Sequence, residues 1–91
     1  MIIPKRILGS LLRKRIKVIF SSNPKLIGKE GIITFETRNM IEIMLKDNRR
    51  IFIPKRNCIF EIQFDDKTKI IIDGAILARR MRLLRKLGRR R

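Results

Sequence analysis

Residues 41–54 read Ile41-Glu42-Ile43-Met44-Leu45-Lys46-Asp47-Asn48-Arg49-Arg50-Ile51-Phe52-Ile53-Pro54, and the period of this stretch sets the fold class. Ile41, Ile43 and Leu45 alternate with Glu42, Met44 and Lys46, which places the two sets on opposite sides of an extended chain. Asp47-Asn48-Arg49 is a polar turn. Residues 50–53 then form a second short strand, ended by Pro54 because proline has no N–H to donate to a ladder.

The same period of two extends in both directions. Ile16, Val18 and Phe20 alternate with Arg15, Lys17 and Ile19, until Ser21-Ser22-Asn23-Pro24 breaks the strand. Residues 31–36 give another strand, with Thr37-Arg38-Asn39 as its turn. Phe60, Ile62 and Phe64 alternate with Glu61, Gln63 and Asp65, and Asp65-Asp66 turns the chain into a last strand at 69–72. Five or six short strands about ten residues apart predict a mostly β fold, a small SH3-like antiparallel barrel over 15–72 rather than a βαβ sheet. Closure would also hide sheet edges that so small a chain has little else to cover. Of the five Phe, all but Phe52 fit a core-facing position on these strands.

A helical period of 3.6 flanks the barrel on both sides. Over residues 4–14, Ile7, Leu8, Leu11 and Leu12 fall on one stripe, with Pro4 suited to a first turn. That stripe needs a cover, which its own barrel, another protein or a membrane surface could supply. At the other end Asp73 can cap a helix over 74–87, on which Ile76, Leu77, Met81, Leu83, Leu84 and Leu87 gather on one arc. Gly88 is placed to stop that helix, and Arg89-Arg90-Arg91 follows as a cationic tail over 88–91.

Charge is distributed in three blocks. Residues 1–29 carry eight Lys/Arg and no acid, residues 30–73 carry eight of each sign, and residues 74–91 carry eight bases and no acid. The net +16 therefore sits in two flanks around a neutral centre, the pattern of a folded module whose ends hold a polyanion, nucleic acid first among them. A hydrophobic content of 44% is too high for a disordered basic tail. The 91 residues make one small domain, burying roughly 60–65% of its unfolded surface.

The missing residue types narrow the chemistry. There is no His and only one Cys, so neither a disulfide framework nor a Cys/His zinc site can be built, and Cys58 in an apolar run reads as a small buried side chain. General acid–base work at neutral pH most often uses His. Glu42 and Glu61 fall on solvent-facing strand positions, Asp65-Asp66 in a turn and Asp73 at a cap, so no self-sufficient active site is expected. No apolar run reaches the ~18 residues of a membrane span, and Arg13-Lys14-Arg15 cuts the first apolar run too short for a signal peptide, which predicts a cytoplasmic protein.

Candidate phosphate contacts follow from the basic residues. Arg13, Lys14, Arg15 and Lys17 at one flank, with Arg79, Arg80, Arg82, Arg85 and Lys86 at the other, are the first choices. Lys25, Lys29, Arg38, Arg49, Arg50, Lys55 and Arg56 sit at strand ends and in loops, where they could join the flanks in one phosphate-tracking face. With Phe assigned to the core, recognition by backbone and shape of folded RNA is expected rather than base stacking. In Gly28-Lys29-Glu30-Gly31, two glycines three apart permit positive φ and a tight turn into a strand.

Ser21-Ser22-Asn23-Pro24-Lys25-Leu26-Ile27-Gly28-Lys29-Glu30-Gly31-Ile32-Ile33, followed by Glu36-Thr37-Arg38-Asn39, closely resembles the archaeal ribonuclease P protein component 1 family. The likeness continues through Ile53-Pro54-Lys55, Phe60-Glu61-Ile62 and Ile72-Asp73-Gly74, covering about residues 11–77. It departs where the family has Gly before the first strand and this chain has Arg13-Lys14, and where an acidic-glycine turn is replaced by Arg56-Asn57. The resemblance implies an Sm-like barrel with terminal helices, in a subunit of the ribonucleoprotein that removes 5′ leaders from precursor tRNA. It further implies that the RNA is catalytic and needs Mg2+, with no cofactor in this chain. The implied partners are the ribonuclease P RNA, the enzyme's zinc-ribbon subunit and other ribonuclease P proteins, and precursor tRNA, with no membrane. The zinc-ribbon contact would use Ile7, Leu8, Leu11 and Leu12. A KOW-like ribosomal protein, also a cationic barrel, is the alternative, and the Glu36–Asn39 motif argues against it.

Overall fold

Six antiparallel strands form one sheet in the computed structural model, which describes the backbone of residues 9–89 and the side chains of 9–81. In chain order they are β1 (Arg15–Ser21), β2 (Glu30–Glu36), β3 (Met40–Met44), β4 (Arg50–Pro54), β5 (Cys58–Gln63) and β6 (Lys69–Asp73). A short 3-10 turn (Pro24–Leu26) lies between β1 and β2, and one helix, α1 (Gly74–Arg89), follows β6 directly. The spatial order is β4-β3-β2-β1-β5-β6.

The sheet does not close. Among the described residues no ladder joins β4 to β6, so the expected closed barrel is corrected to an open, curled sheet. The start of α1 lies against the chain just beyond β4: a Cβ built on Gly74 would fall onto the carbonyl oxygen of Lys55. The helix, not a sixth ladder, occupies that position. Alternating Ile16, Val18, Ile33, Ile41, Ile43, Ile53, Phe60, Ile62 and Ile72 line the concave side, and Leu77 of α1 closes over them. Each fully buried aliphatic side chain contributes on the order of 1.5–3 kcal/mol.

Two bulges change which side chains face inward. Val18 pairs with Phe60 and Phe20 with Ile59, so Ile19 is an extra residue in β1. Phe20, expected in the core, is therefore turned outward and half exposed, while Ser21 is buried. In β2, Ile33 pairs with Ile43 and Phe35 with Glu42, which makes Thr34 the extra residue. Phe35, also expected inside, is exposed, and Glu36 takes the inward register opposite Ile41.

The ends differ from expectation as well. Residues 4–8 of the expected N-terminal helix lie outside the described residues, and 9–14 form a bend and a turn instead of a helix. Their backbone is committed elsewhere: the Arg13 N–H donates to the Ile33 carbonyl (2.8 Å), Ile33 N–H to Lys14 (2.9 Å), and Arg13 takes a left-handed φ of 70°. That conformation is costly for a residue with a Cβ, and it falls where the resembled family has glycine. At the other end α1 continues through Gly88 to Arg89, so Gly88 does not stop it. Asp73 is the expected cap, its Oδ1 accepting from Ala75 N–H at 2.9 Å.

The stretches that carried the resemblance hold the scaffold together. Ser21 Oγ accepts from Cys58 Sγ (3.3 Å) and from Asn23 N–H (3.1 Å), Asn23 caps the 3-10 turn, and Pro24 opens it. Gly28 has φ +86°, as its turn requires, whereas Gly31 is a matter of space: an added Cβ would lie 2.2 Å from the Met44 carbonyl oxygen.

Candidate nucleic-acid interface

Strand register lines up one row of outward residues across all six strands. In order it runs Arg50, Met44, Ile32, Arg15, Gln63, Lys69, each directly opposite the next. Three cations and no acid occupy it. At about 4.8 Å per strand, Arg15 lies roughly 10 Å from Lys69 and 14 Å from Arg50 along the row. The neighbouring row, Glu30, Lys17, Glu61 and Ile71, is mixed, so Lys17 stands between two carboxylates. Beside Arg15 an open depression of about 580 Å³, bordered by Lys29, Lys46 and Asp47, extends the surface toward the β3–β4 turn.

Register thus brings Arg15, Lys17 and Arg50 onto one face, and it adds Lys69, which the sequence reading did not select. Only the pairing of Lys69 with Gln63, itself opposite Arg15, could have revealed it. Lys25 is exposed on the 3-10 turn and Lys29 half-buried just before β2. Arg38 and Arg49 are exposed in turns at opposite ends of β3, so they do not act at one point. Arg56 is exposed on the β4–β5 turn and Arg79 on α1. Arg13 is exposed, whereas Lys14 is bound to Asp65 (2.9 Å). Arg49 is paired with Asp47 (2.6 Å), whose pKa is lowered by the Arg49 backbone N–H and then by its side chain. Arg82, Arg85 and Lys86 belong to α1, with side chains outside the described set.

Lys55 and Arg80 are corrections. Both were expected on an RNA-facing surface, and both are buried, at 0% and 1% exposure. Their charges converge on Glu36: Lys55 Nζ and Arg80 Nη1 each lie 2.7 Å from its Oε2. Lys55 also reaches the Leu77 carbonyl (3.5 Å), and Arg80 Nη2 donates to the Gly9 carbonyl (2.6 Å). The cluster ties β2, the end of β4, α1 and the N-terminal segment together. Burial pushes the Lys55 ammonium below its ordinary pKa, against the opposing pull of Glu36, and the Arg80 charge adds to the lowering. A cation held this way has no route to a phosphate.

Of the expected protein-contact residues, Ile7 and Leu8 lie outside the described residues. Leu11 is buried in the chain's own core, and Leu12 is 47% exposed. Phe35 and Phe52 flank Glu42 in one outward row, giving a second apolar area the sequence reading had placed only in part. Among the described residues no three His, Cys, Asp or Glu gather to hold a metal ion, and no helix is long and apolar enough to cross a membrane.

Fold and charge together define a small cationic protein built on one curled antiparallel sheet with a helix appended to its last strand. A family model for Ribonuclease P/MRP, subunit p29, matches residues 11–83, and the chain belongs to that family. It is 42% identical over 71 residues to the Ribonuclease P protein component 1 of Sulfurisphaera tokodaii, spanning 78% of this chain and 90% of that protein. To the Pyrococcus horikoshii protein of the same name it is 40% identical over 70 residues, which is 77% of this chain but only 54% of the relative, about half its length. The structure of Mth11, a homologue of the human RNase P protein Rpp29, superposes with a TM-score of 0.60 at 27% identity, covering 72% of this chain and 85% of that one.

Proposed function

We propose that this chain is an RNA-binding subunit of ribonuclease P, supporting a catalytic RNA in the removal of 5′ leaders from precursor tRNA. The observation that carries this reading is the acid-free row of Arg50, Arg15 and Lys69 on the outer face of a family member with net charge +16. In the mechanism, phosphates of the folded RNA lie along that row and on the flanking cations, replacing condensed counterions and lowering the repulsion that opposes RNA compaction. The zinc-ribbon subunit of the same enzyme would meet the exposed Leu12, with Ile7 and Leu8 of the preceding sequence as further contact residues.

The test is reconstitution: precursor-tRNA cleavage by the RNA and the remaining subunits, with and without this chain. Unchanged cleavage on omission refutes the assignment. Direct binding gives the mechanism its own check. If about eight phosphates are neutralised, log affinity falls with log salt at a slope of about −6 to −7, and a slope shallower than about −2 refutes phosphate tracking. Replacing Arg15, Lys17 and Lys69 together with Gln should flatten the slope by about 2–3 and weaken structured RNAs to a similar degree. A preference for ribosomal RNA in a crosslinking pull-down would favour a KOW-like ribosomal role instead.

A further inference from the structure

The bulge at Ile19 has a chemical consequence at the far end of β1. Phe20, turned outward and 52% exposed, stands in one outer row with Ile59 and Asp73. In front of it lies a groove of about 430 Å³ bounded by Ser22, Arg56, Asn57, Asp73 and Ala75. The two loops that form its wall are fixed to each other, Ser22 N–H donating to the Asn57 carbonyl at 3.0 Å. Arg56 has no ion-pair partner among the described residues, and Asp73 uses Oδ1 to cap α1 while Oδ2 has no protein partner among them.

We infer that this groove takes one unpaired RNA nucleotide, its base stacked on the Phe20 ring and its phosphate on Arg56. A half-exposed aromatic ring bordered by polar and charged groups suits a flat heterocycle with a charged tail better than it suits an apolar side chain. Arg56 supplies the complementary charge. The unengaged Asp73 oxygen is a hydrogen-bond acceptor at the groove's edge, which matches the exocyclic amine of adenine, cytosine or guanine, whereas uracil has no amine and presents only its ring N3–H. The outward pair Phe35 and Phe52 lacks this combination, since the side chain between them is the carboxylate of Glu42. The inference deepens the proposed function and rests on it: phosphate tracking supplies general affinity, and this groove would add a preference for an unpaired base.

The experiment compares the full-length wild-type chain with Phe20→Ala, Phe20→Leu and Phe20→Trp. Two hairpin RNAs serve as probes, identical except for a single bulged adenine or bulged uracil, each titrated over a range of salt. Stacking predicts roughly tenfold weaker binding of the adenine-bulge hairpin by the Ala and Leu variants, with an unchanged salt slope, and retention by the Trp variant. Asp73→Asn, which keeps a helix cap, should narrow the preference for adenine over uracil. Far-UV circular dichroism confirms that each variant is folded, and having both Ala and Leu forms keeps one usable. Equal binding by wild type and the folded Leu or Ala variant overturns the inference while leaving the proposed function intact. A wild-type slope shallower than about −2 overturns phosphate tracking, the part of the proposed function on which this inference rests. Loss of assembly with other protein subunits, with hairpin binding unaltered, also overturns the nucleotide site and assigns Phe20 to a protein contact.

Discussion

Replacing Glu36 with Gln should destabilise the fold far more than any other loss of a single carboxylate. Its Oε2 lies 2.7 Å from both Lys55 Nζ and Arg80 Nη1, and the side chains of those residues are 0% and 2% exposed. Gln keeps the volume and one acceptor oxygen, so no cavity contributes. What is lost is the negative charge that pairs with both buried cations. Breaking a buried pair on one side costs about 3–5 kcal/mol, and a carboxylate shared by two partners belongs in the upper part of that range. A 91-residue protein has a total stability of roughly 5–14 kcal/mol, so the substitution removes a third or more of it. Deprotonation of Lys55 caps the loss, which predicts a smaller penalty at high pH. Urea unfolding followed by far-UV circular dichroism suits a chain without Trp or Tyr. The control is Glu42→Gln, whose carboxylate is half-buried and accepts a hydrogen bond from the neutral hydroxyl of Thr34. Adding Lys55→Met to Glu36→Gln should recover part of the loss by removing one orphaned cation. A Glu36→Gln penalty below about 1 kcal/mol, or a double variant weaker than the single one, refutes the reasoning.

Three further expectations concern the same scaffold. Gly31→Ala drives a Cβ to 2.2 Å from the Met44 carbonyl oxygen, where both sides are backbone, and should cost about 1–3 kcal/mol; an unchanged urea midpoint contradicts this. Arg13→Gly relieves the left-handed φ of 70° and should add up to about 1 kcal/mol of stability. It should also flatten the RNA salt slope by about one if Arg13 touches a phosphate. Lys55 titrates lower in the folded chain than its unfolded 10.5. Between those two values the unfolded state holds more protons, so this group's contribution to stability rises with pH and is lost as pH falls through the folded value. Lys55→Met removes that slope, and parallel pH dependences of the two proteins' unfolding would contradict the assignment.

The strands were legible because alternation is local. Arg15–Ser21, Met40–Met44 and Arg50–Pro54 each state their period within a few residues, and Pro24 and Pro54 mark the breaks without reference to anything distant. The cap at Asp73 and the buried Cys58 were legible for the same reason. The N-terminal stripe misled because Leu11 and Leu12, helical neighbours by spacing, sit in a segment whose backbone bonds to β2 and to Arg80 instead.

Sequence by itself determined five or six strands, a basic helix and flanks of one sign, since each follows from side chains close together along the chain. Tertiary structure decided which charges face solvent. Lys55 and Arg80 look like any other base in the sequence, and their partner Glu36 is 19 and 44 residues away. The extra residues Ile19 and Thr34 gain meaning only when a second strand is laid beside them, and they then turn Phe20 outward and Glu36 inward. The direction a side chain points after a bulge is a property of the pair of strands, and no single strand encodes it.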